Sequence, residues 1–462
     1  MRTTLTMTAA QHAELQELLY PGDDREAAAF LLCGRRAEDH RHRLLVHRVI
    51  GLAPEDYEIR DHDLLKWRTA FLVPHLEEAM RKGFAVVKLH SHPSGYDEFS
   101  PSDERADAAF FPSIHGWLDD GHPHASAIML PDGRIFGRVQ HADGKTPPLA
   151  AVTVIGDDII IWNAGPRHAV PQAASRNAQA FGEATYSMLR DLRVAVIGCS
   201  GTGSFVIELL ARLMVGELVL VDDDLVELKN LNRIVGAATA DVGVPKVEVL
   251  ARNIKNMGLG TSVEAHATEL GDLHTLRAVA TADIVVGCMD SIDGRDLLNR
   301  LSAFYLLPYF DVGVRLNADG QGGVDEMVGS VHYLQPGRSS LATRELYTAE
   351  EARAAYLRRA DPDAYAREVE EKYIAGAQAG RPAVAPVNAL FSARTVMELL
   401  ARLHPYRDDS NSDFATVTES LTGGFTRIIS EAEYPPDRAL ARHLGRGDTT
   451  PMMGMPLLSE ES

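Results

Sequence analysis

Two histidines one residue apart, followed by a serine and an aspartate, form the most specific chemical pattern in the sequence. His90 and His92 lie in KLHSHP, and Ser100 and Asp103 follow a Gly/Pro-rich turn in SPSD. Side chains two positions apart on a strand point to the same face. A carboxylate brought back by the turn would therefore complete a site of three metal ligands. Three protein ligands and one open position are typical of catalytic zinc.

Hydrolysis of an amide at such a centre also needs a base for the proton of water and a donor for the oxyanion. Glu26, at the start of the predicted strand 27–34, is the candidate base, and Ser100 is the candidate donor. SPSD is also a suitable start for a helix, because serine and aspartate favour that position. The two interpretations are compatible.

The pattern E…H-x-H-x7-S-x-x-D resembles the JAB/MPN (JAMM) metallopeptidases, the zinc isopeptidases that cut at the C-terminus of ubiquitin-like proteins. The resemblance covers about the first 140 residues and implies a cytidine-deaminase-like α/β domain. It implies that Zn²⁺ is held by His90, His92 and Asp103. Glu26 and Ser100 would take the catalytic roles.

A second pattern, VAVIGCSGTGSF, places Gly198, Gly201 and Gly203 between a predicted strand and a predicted helix. Such a turn presents backbone N–H groups and a helix N-terminus to a phosphate. Asp222, at the end of the next predicted strand, would hydrogen-bond a ribose hydroxyl. Together these features are compatible with NAD, FAD or ATP.

The residues that follow favour nucleotidyl transfer. Arg233 and Lys246 come after the acid, and both could neutralise charge that builds on phosphates during such a reaction. Asp290, at the carboxyl end of a later predicted strand, is placed where Mg²⁺ could bind, since this ion takes one or two carboxylates together with phosphate oxygens. A dehydrogenase has no use for the two cations at these positions.

This second set resembles the ThiF/MoeB/HesA family, which shares the fold of ubiquitin-activating enzymes. D-x-D-x-V-x-x-x-N-L-N-R is matched from Asp222 to Arg233, and Ser200 is the one departure in the glycine loop. The resemblance implies a homodimer in which Arg176 reaches a phosphate of the neighbouring subunit. It also implies that ATP and Mg²⁺ activate the C-terminal carboxylate of a ubiquitin-like protein. The implied nucleotide-binding residues are Gly198, Gly201, Gly203, Asp222, Asp224, Asn230, Arg233, Lys246 and Asp290, with Arg233 and Lys246 catalytic.

The chain departs from this family in its cysteines. Many members carry a cysteine after the strand that ends at the magnesium aspartate, and it takes the activated carboxylate as a thioester. This chain has Cys33, Cys199 and Cys288, and none after Cys288. We therefore expect adenylation without a thioester on a conventional cysteine.

The fold class that these motifs predict is α/β, with a Rossmann-like, doubly wound second domain. Predicted boundaries are 1–145 for the metallopeptidase domain, 146–180 for a connector, 181–435 for the adenylation domain and 436–462 for a flexible tail. A charged helix is predicted over 350–380.

Composition restricts the partners. The net charge of −19 argues against nucleic acid, and the absence of a long apolar run or signal-peptide core predicts a cytoplasmic protein with no membrane partner. Both domains would handle the tail of one ubiquitin-like protein, which suggests a bacterial modification system, with or without a conjugating-enzyme homologue. The alternatives are activation of a sulfur-carrier protein, an NAD- or FAD-dependent oxidoreductase, and a non-enzymatic scaffold.

Overall fold

A computed structural model gives the fold of residues 1–38, 40–62, 64–363, 365–366 and 382–459. The chain divides into two units. The first contains Met1–Pro166, Phe304–Leu306 and residues 443–459, and the second contains Arg167–Ala303 and Leu307–Arg442. Each unit has its own sheet and is described by itself.

The first unit is built on one mixed sheet. Its strands are β1 (Arg2–Thr8), β2 (Ala28–Ala37), β3 (Arg41–Gly51), β4 (Tyr57–Arg60), β5 (Leu65–Trp67), β6 (Ala85–Ser91), β7 (His124–Met129), β8 (Ile135–Gln140), β9 (Ala151–Ile155) and β10 (Ile159–Asn163). Its helices are α1 (Ala9–Leu19), α2 (Val73–Lys82) and α3 (Pro101–Leu118). The sheet order is β10-β9-β1-β3-β2-β6-β7-β8, and β4 and β5 form a separate pair.

Alternation along the central strands produces two apolar layers. Leu31 of β2 points into a cluster that contains Leu15 of α1. Its neighbour Phe30 points to the opposite face, into a cluster that contains Leu76 of α2 and Phe111 of α3. Because successive strand residues face opposite sides, one face of the sheet is covered by α1 and the other by α2 and α3.

The helix that the sequence predicts over 64–83 is shorter in the structure. Residues Leu65–Trp67 form β5, and α2 begins only at Val73, with Pro74 in its first turn. A proline is tolerated there because the first N–H groups of a helix have no partner inside it. Gly83, with φ 68°, ends the helix in the left-handed conformation.

Two segments outside the predicted boundary of 145 belong to the first unit. Strand β9 pairs in parallel with β1, so the β9–β10 hairpin extends the sheet. Near the C-terminus, Gly34 N–H donates to Gly445 O (3.1 Å) and Asp448 N–H donates to Arg35 O (2.8 Å). These contacts correct the prediction of a flexible tail over 436–462 for residues 443–459. Residues 460–462 lie outside the described residues.

The second unit begins with a helix and continues as a strand–helix series. Its helices are α4 (Ser175–Asp191), α5 (Gly201–Arg212), α6 (Lys246–Met257), α7 (Leu273–Val279), α8 (Ile292–Tyr305), α9 (Ala349–Ala360), α10 (Ala385–Leu403) and α11 (Arg438–Ala441). The last two residues of α8, Phe304 and Tyr305, are counted with the first unit. Its strands are β11 (Arg193–Ile197), β12 (Glu217–Val221), β13 (Ser262–His266), β14 (Ile284–Gly287), β15 (Tyr309–Ala318), β16 (Val324–Leu334), β17 (Thr416–Ser420) and β18 (Phe425–Ile429).

The sheet of the second unit has the order β13-β12-β11-β14-β15-β16-β17-β18. From β13 to β15 the neighbouring strands are parallel, and from β15 to β18 they are antiparallel. The chain therefore runs from β11 through β12 to β13 on one side of the sheet, and then crosses to the other side of β11, where β14 and β15 lie. In open α/β sheets, ligands bind at the carboxyl ends of the strands where this reversal occurs. The prediction of a Rossmann-like α/β fold is confirmed.

The charged helix predicted over 350–380 is observed in part. Helix α9 spans Ala349–Ala360 and begins with a capping box formed by Thr348 and Glu351. Residues 364 and 367–380 of this prediction lie outside the described residues. Among the residues that the structure describes, no helix combines the length and the apolarity needed to cross a membrane.

Two buried histidines of the first unit predict its behaviour in acid. Burial, followed in effect by the charge of Arg35, lowers the pKa of His42 to about 3 and that of His124 to about 2. Both are therefore neutral in the folded chain, whereas an exposed histidine takes up a proton below about pH 6.5. The unfolded state thus binds more protons below that pH, and the free energy of unfolding falls as the pH falls.

For each of these histidines we predict a loss that rises from about 0.7 kcal/mol per pH unit at pH 6.5 to about 1.3 kcal/mol per pH unit at pH 5. Urea unfolding followed by tryptophan fluorescence isolates the first unit, because Trp67, Trp117 and Trp162 are the three tryptophans of the chain. His42→Leu should reduce the slope of the free energy of unfolding against pH by the contribution of one histidine. The same substitution at exposed His40 should leave this slope unchanged. An equal slope in wild type and His42→Leu would contradict the assignment.

Candidate functional sites

The predicted metal ligands meet where β6 ends and α3 begins. His90 lies in β6, His92 follows the strand directly, and each residue is 3% exposed. Ser100 caps α3 and brings Asp103, in its first turn, against the two imidazoles. His90 Nε2 lies 2.9 Å from Asp103 Oδ1, and His92 Nε2 lies 3.4 Å from Asp103 Oδ2 and 3.2 Å from His90 Nε2. The structure thus brings the three predicted ligands together.

These distances fit a zinc ion. Tetrahedral zinc with bonds of about 2.0–2.1 Å places its ligand atoms about 3.3–3.4 Å apart, close to the separations observed. The three ligand atoms all lie within 4.8 Å of one another. His92 Nδ1 lies 2.7 Å from the carbonyl oxygen of Tyr96, which favours the tautomer that turns a bare Nε2 toward the metal position. The sequence did not indicate this contact, because a backbone carbonyl has no residue signature.

The charges around the ligands suit a metal cation. Burial lowers the pKa of His90 and favours its neutral, ligating form. Burial has the same tendency at His92, but hydrogen bonding to Asp103 outweighs it and raises the pKa, so a proton competes with a metal ion for this imidazole. At Asp103 burial is likewise outweighed, since hydrogen bonds from His90 and His92 lower the pKa well below its usual range. Asp103 is therefore held as the carboxylate that metal binding requires.

The two predicted catalytic residues flank this cluster. Glu26 Oε1 lies 4.0 Å from His92 Nε2, and the Glu26 backbone N–H donates to Asp61 O at 3.0 Å. Ser100 Oγ accepts the N–H of Asp103 at 3.2 Å, so its hydroxyl forms the helix cap while its proton is left for another acceptor. The structure thus places Glu26 beside the imidazoles and Ser100 beside the carboxylate.

The glycine loop of the second unit follows β11 and opens α5. Gly198 has φ 90°, and a Cβ there would lie 2.8 Å from Cys288 O, so this position requires glycine. A Cβ at Gly203 would lie 1.7 Å from Gly198 O, so a side chain there would force the turn open. Helix α5 begins at Gly201. Its N-terminus lies at the carboxyl end of β11, where a phosphate would meet backbone N–H groups.

Asp222 connects this loop to the predicted cation. Its carboxylate accepts the backbone N–H of Cys199 at 2.6 Å and that of Asp224 at 3.0 Å. Lys246 Nζ lies 2.5 Å from Asp224 Oδ2 and 3.4 Å from Asp222 Oδ1. Burial raises the pKa of Asp222. At Lys246 burial is outweighed by the two carboxylates, which raise the pKa and keep the ammonium charged.

Arg233 lies over the start of α5. Its Cδ is 3.1 Å from the position of a Cβ at Gly201, and its Nη1 donates to Lys229 O at 2.9 Å. Asn230, by contrast, turns its amide oxygen toward the Glu227 N–H (2.9 Å) and closes a turn. The predicted role of Asn230 at the nucleotide is thus accompanied by an observed role in the backbone of the loop.

Sequence reasoning missed Asn388 of α10. Its Nδ2 lies 2.1 Å from where a Cβ at Gly201 would be, so only glycine leaves room for this amide. Ser392, one turn later on α10, donates to Thr202 O at 2.8 Å and fixes the helix against the loop. The one signal in the sequence was a polar residue at the start of the apolar stretch NALFSARTVMELLARL.

The remaining predicted residues lie at the edges of this region. Asp290 is exposed and follows the carboxyl end of β14, as a magnesium ligand in this type of sheet would. Arg176 lies on α4, where its Nη1 donates to Gln179 Oε1 at 2.9 Å. A role for Arg176 in a neighbouring subunit stays a prediction.

The three thiols are poorly suited to nucleophilic chemistry. Cys33 and Cys199 are buried and Cys288 is partly exposed. Burial raises the pKa of each of the three thiols. The thiolate is the nucleophilic form of cysteine, so each thiol is held in its less reactive state.

Similarity to known proteins is concentrated in the second unit. The chain is 40% identical over 116 residues to the SAMP-activating enzyme E1 of Haloferax volcanii, which is 25% of this chain and 43% of that protein. It is 31% identical over 165 residues to the ubiquitin-like modifier-activating enzyme 5 of Drosophila persimilis, which is 33% of this chain and 40% of that protein. The chain thus spans about two fifths of these curated relatives.

Among solved structures, the crystal structure of E. coli MccB with ATP has a TM-score of 0.44 and 20% identity, over 59% of this chain and 74% of that one. The ThiF family matches residues 174–435, which is more than half of the 462 residues. This range contains the glycine loop, the Asp222–Lys246 contact and α10. The chain therefore belongs to the ThiF family.

Proposed function

We propose that the second unit uses ATP and Mg²⁺ to adenylate the C-terminal carboxylate of a ubiquitin-like protein. The observation that carries this proposal is the position of Lys246. Its ammonium lies 3.4 Å from Asp222, which also accepts an N–H of the glycine loop. A cation at that place serves a reaction in which negative charge builds on phosphates, and a hydride transfer from NAD or a flavin would not use it.

In the proposed reaction a carboxylate oxygen attacks the α-phosphorus of ATP, and the bond to the β-phosphate oxygen breaks. The products are an acyl-adenylate and pyrophosphate. Lys246 and Arg233 would neutralise the charge on the phosphates, and the α5 N-terminus would receive an anionic oxygen. Asp222 would hold the ribose and Asp290 the magnesium ion.

ATP–pyrophosphate exchange, measured with a candidate ubiquitin-like protein, tests this step. Exchange should depend on that protein, and Lys246→Met should reduce its rate about 100-fold or more, as expected for the loss of one preorganised charge. Asp290→Asn should raise the magnesium concentration needed. Asp223→Asn, which changes an exposed carboxylate of the same segment, is the matched control and should retain activity. Exchange that is unaffected by Lys246→Met would exclude the proposed role.

We also propose that the first unit is a zinc-dependent isopeptidase that acts on the same class of partner. The support is the ligand geometry of His90, His92 and Asp103, with Glu26 beside it. A bound zinc ion lowers the pKa of water and polarises a carbonyl. Glu26 would accept a proton and pass it to the leaving amine, and the Ser100 hydroxyl would donate to the developing oxyanion.

Zinc content and peptidase activity separate the two roles at this site. His92→Ala should lose zinc, measured by metal analysis of the purified protein, because it removes one of three ligands. Glu26→Gln should retain zinc but cleave a ubiquitin-like fusion about 100-fold or more slowly, since general bases contribute that much. His122→Ala removes an exposed histidine of the same unit and should change neither quantity. Wild-type protein that binds no zinc would refute the proposed peptidase.

The raised pKa values of the three thiols lead us to propose adenylation without an enzyme thioester. The activated carboxylate would pass to an external thiol, amine or sulfur donor. Cys288→Ser should retain exchange activity within about twofold, and iodoacetamide should react with Cys288 more slowly than with a small exposed thiol, because few molecules carry the thiolate. An enzyme–partner adduct that dithiothreitol releases, found by mass spectrometry, would contradict this proposal.

The names of the relatives favour a ubiquitin-like substrate over the alternatives. One is a SAMP-activating enzyme and another activates a ubiquitin-like modifier. A sulfur-carrier protein would use the same adenylation and differ only in the acceptor. We propose a homodimer through the ThiF-type unit, with Arg176 reaching the neighbouring subunit, a cytoplasmic location, and a conjugating-enzyme homologue as a further partner.

A further inference from the structure

A buried ion pair between β6 and α3 lies next to the proposed zinc ligands. Lys88 precedes His90 by two residues on β6, and Asp107 follows Asp103 by four residues on α3. Lys88 Nζ contacts Asp107 Oδ1, and each of these two residues is only 3% exposed. Neither residue belongs to the proposed ligand set.

Two contacts, His90–Asp103 and Lys88–Asp107, follow one another along the interface between β6 and α3. Two residues of a strand advance about 6.6 Å, and four residues of a helix advance about 6 Å. Strand and helix run in opposite directions here. The step from His90 to Lys88 along the strand therefore matches the step from Asp103 to Asp107 along the helix. Behind both, Val86 and Phe111 lie in one apolar cluster. Toward the end of β6, the contacts between this strand and α3 therefore change from apolar to ionic and then to the proposed metal ligands.

Further contacts tie Asp107 to the sheet. Its Oδ2 accepts from Arg138 of β8, at 2.7 Å from Nη2 and 3.2 Å from Nε, and from Gln140 at 3.3 Å. Both carboxylate oxygens are therefore occupied by donors from two strands. Arg138 also contacts Glu104 and lies 4.0 Å over the ring of Phe99. The first turns of α3 are thus held at a single position along β6.

An ion pair in this place is not explained by stability alone. Removing two charges from water is costly, and apolar residues of similar volume often replace a buried pair without loss of stability. A directional pair does, however, reject a shifted register, because a slide of the helix by one residue would leave both charges unpaired. An apolar contact tolerates such a slide more readily.

We propose that Lys88 and Asp107 are positioning residues of the zinc site, which hold α3 in the register that presents Asp103 to His90 and His92. This inference rests on the proposed zinc function. It assigns no catalytic step to either residue. Its consequence is that zinc affinity depends on a pair that never contacts the metal.

Zinc affinity, measured by competition with a chromophoric chelator, tests the proposal. The double variant Lys88→Met/Asp107→Leu removes both charges of the pair, and Arg138 keeps Glu104 as its partner. The variant should therefore fold, as judged by tryptophan fluorescence and its melting curve. We expect its zinc affinity to fall 10- to 100-fold, the range found for residues that support metal ligands from outside. The visible spectrum of the cobalt(II)-substituted protein should change as well. Lys88→Arg keeps the charge and should retain affinity within about threefold.

The control is a second, more exposed ion pair between a helix and a strand of the same unit. Arg48 of β3 and Glu78 of α2 lie 2.5 Å apart, and Arg48→Met/Glu78→Leu should leave zinc affinity unchanged. A folded Lys88→Met/Asp107→Leu protein with wild-type affinity and an unchanged cobalt spectrum would overturn the proposal. If wild-type protein itself does not bind zinc, the proposed zinc function fails, and that result is distinct because it appears before any variant is compared.

Discussion

One carboxylate does two things at the N-terminus of α3, and the first unit depends on both. Asp103 Oδ2 accepts the backbone N–H of Ser100 at 2.7 Å and completes the capping box, while Oδ1 lies 2.9 Å from His90 Nε2. The first turn of the helix and the cluster of predicted metal ligands therefore share one carboxylate. A cap by itself contributes about 1 kcal/mol, so the ligand geometry also depends on the wider packing of α3 on β6.

The local parts of this unit could be predicted from sequence, and the long-range parts could not. Spacing alone placed His90, His92 and Asp103 together, because a strand, a short turn and a helix cap are encoded within a few residues. The parallel pairing of β9 with β1 joins positions about 150 residues apart, and nothing in either segment names its partner. The same holds for Gly445, whose contact with Gly34 corrects the predicted tail.

The second unit shows the same division between local and distant signals. The glycine loop, Asp222 and Lys246 were predicted because each lies directly at the end of a strand or the start of a helix in a regular series. Asn388 was missed, since it reaches Gly201 from a helix almost 190 residues later in the chain. Asn230 was predicted as a nucleotide-binding residue, and the structure adds a local role, because its side chain closes the turn that begins at Glu227.

The two carboxylates beside Lys246 differ in their exposure to solvent, and this difference would allow Lys246 to exchange one partner while it keeps the other. The side chain of Asp224 is 70% exposed and that of Asp222 is 8% exposed. An ion pair with an exposed partner contributes little, typically below about 1 kcal/mol, because water and salt screen it. A polyphosphate of higher charge would therefore displace Asp224 readily, while buried Asp222 keeps the ammonium near the glycine loop. In the proposed reaction Lys246 would thus be positioned before a nucleotide arrives and could still turn toward it.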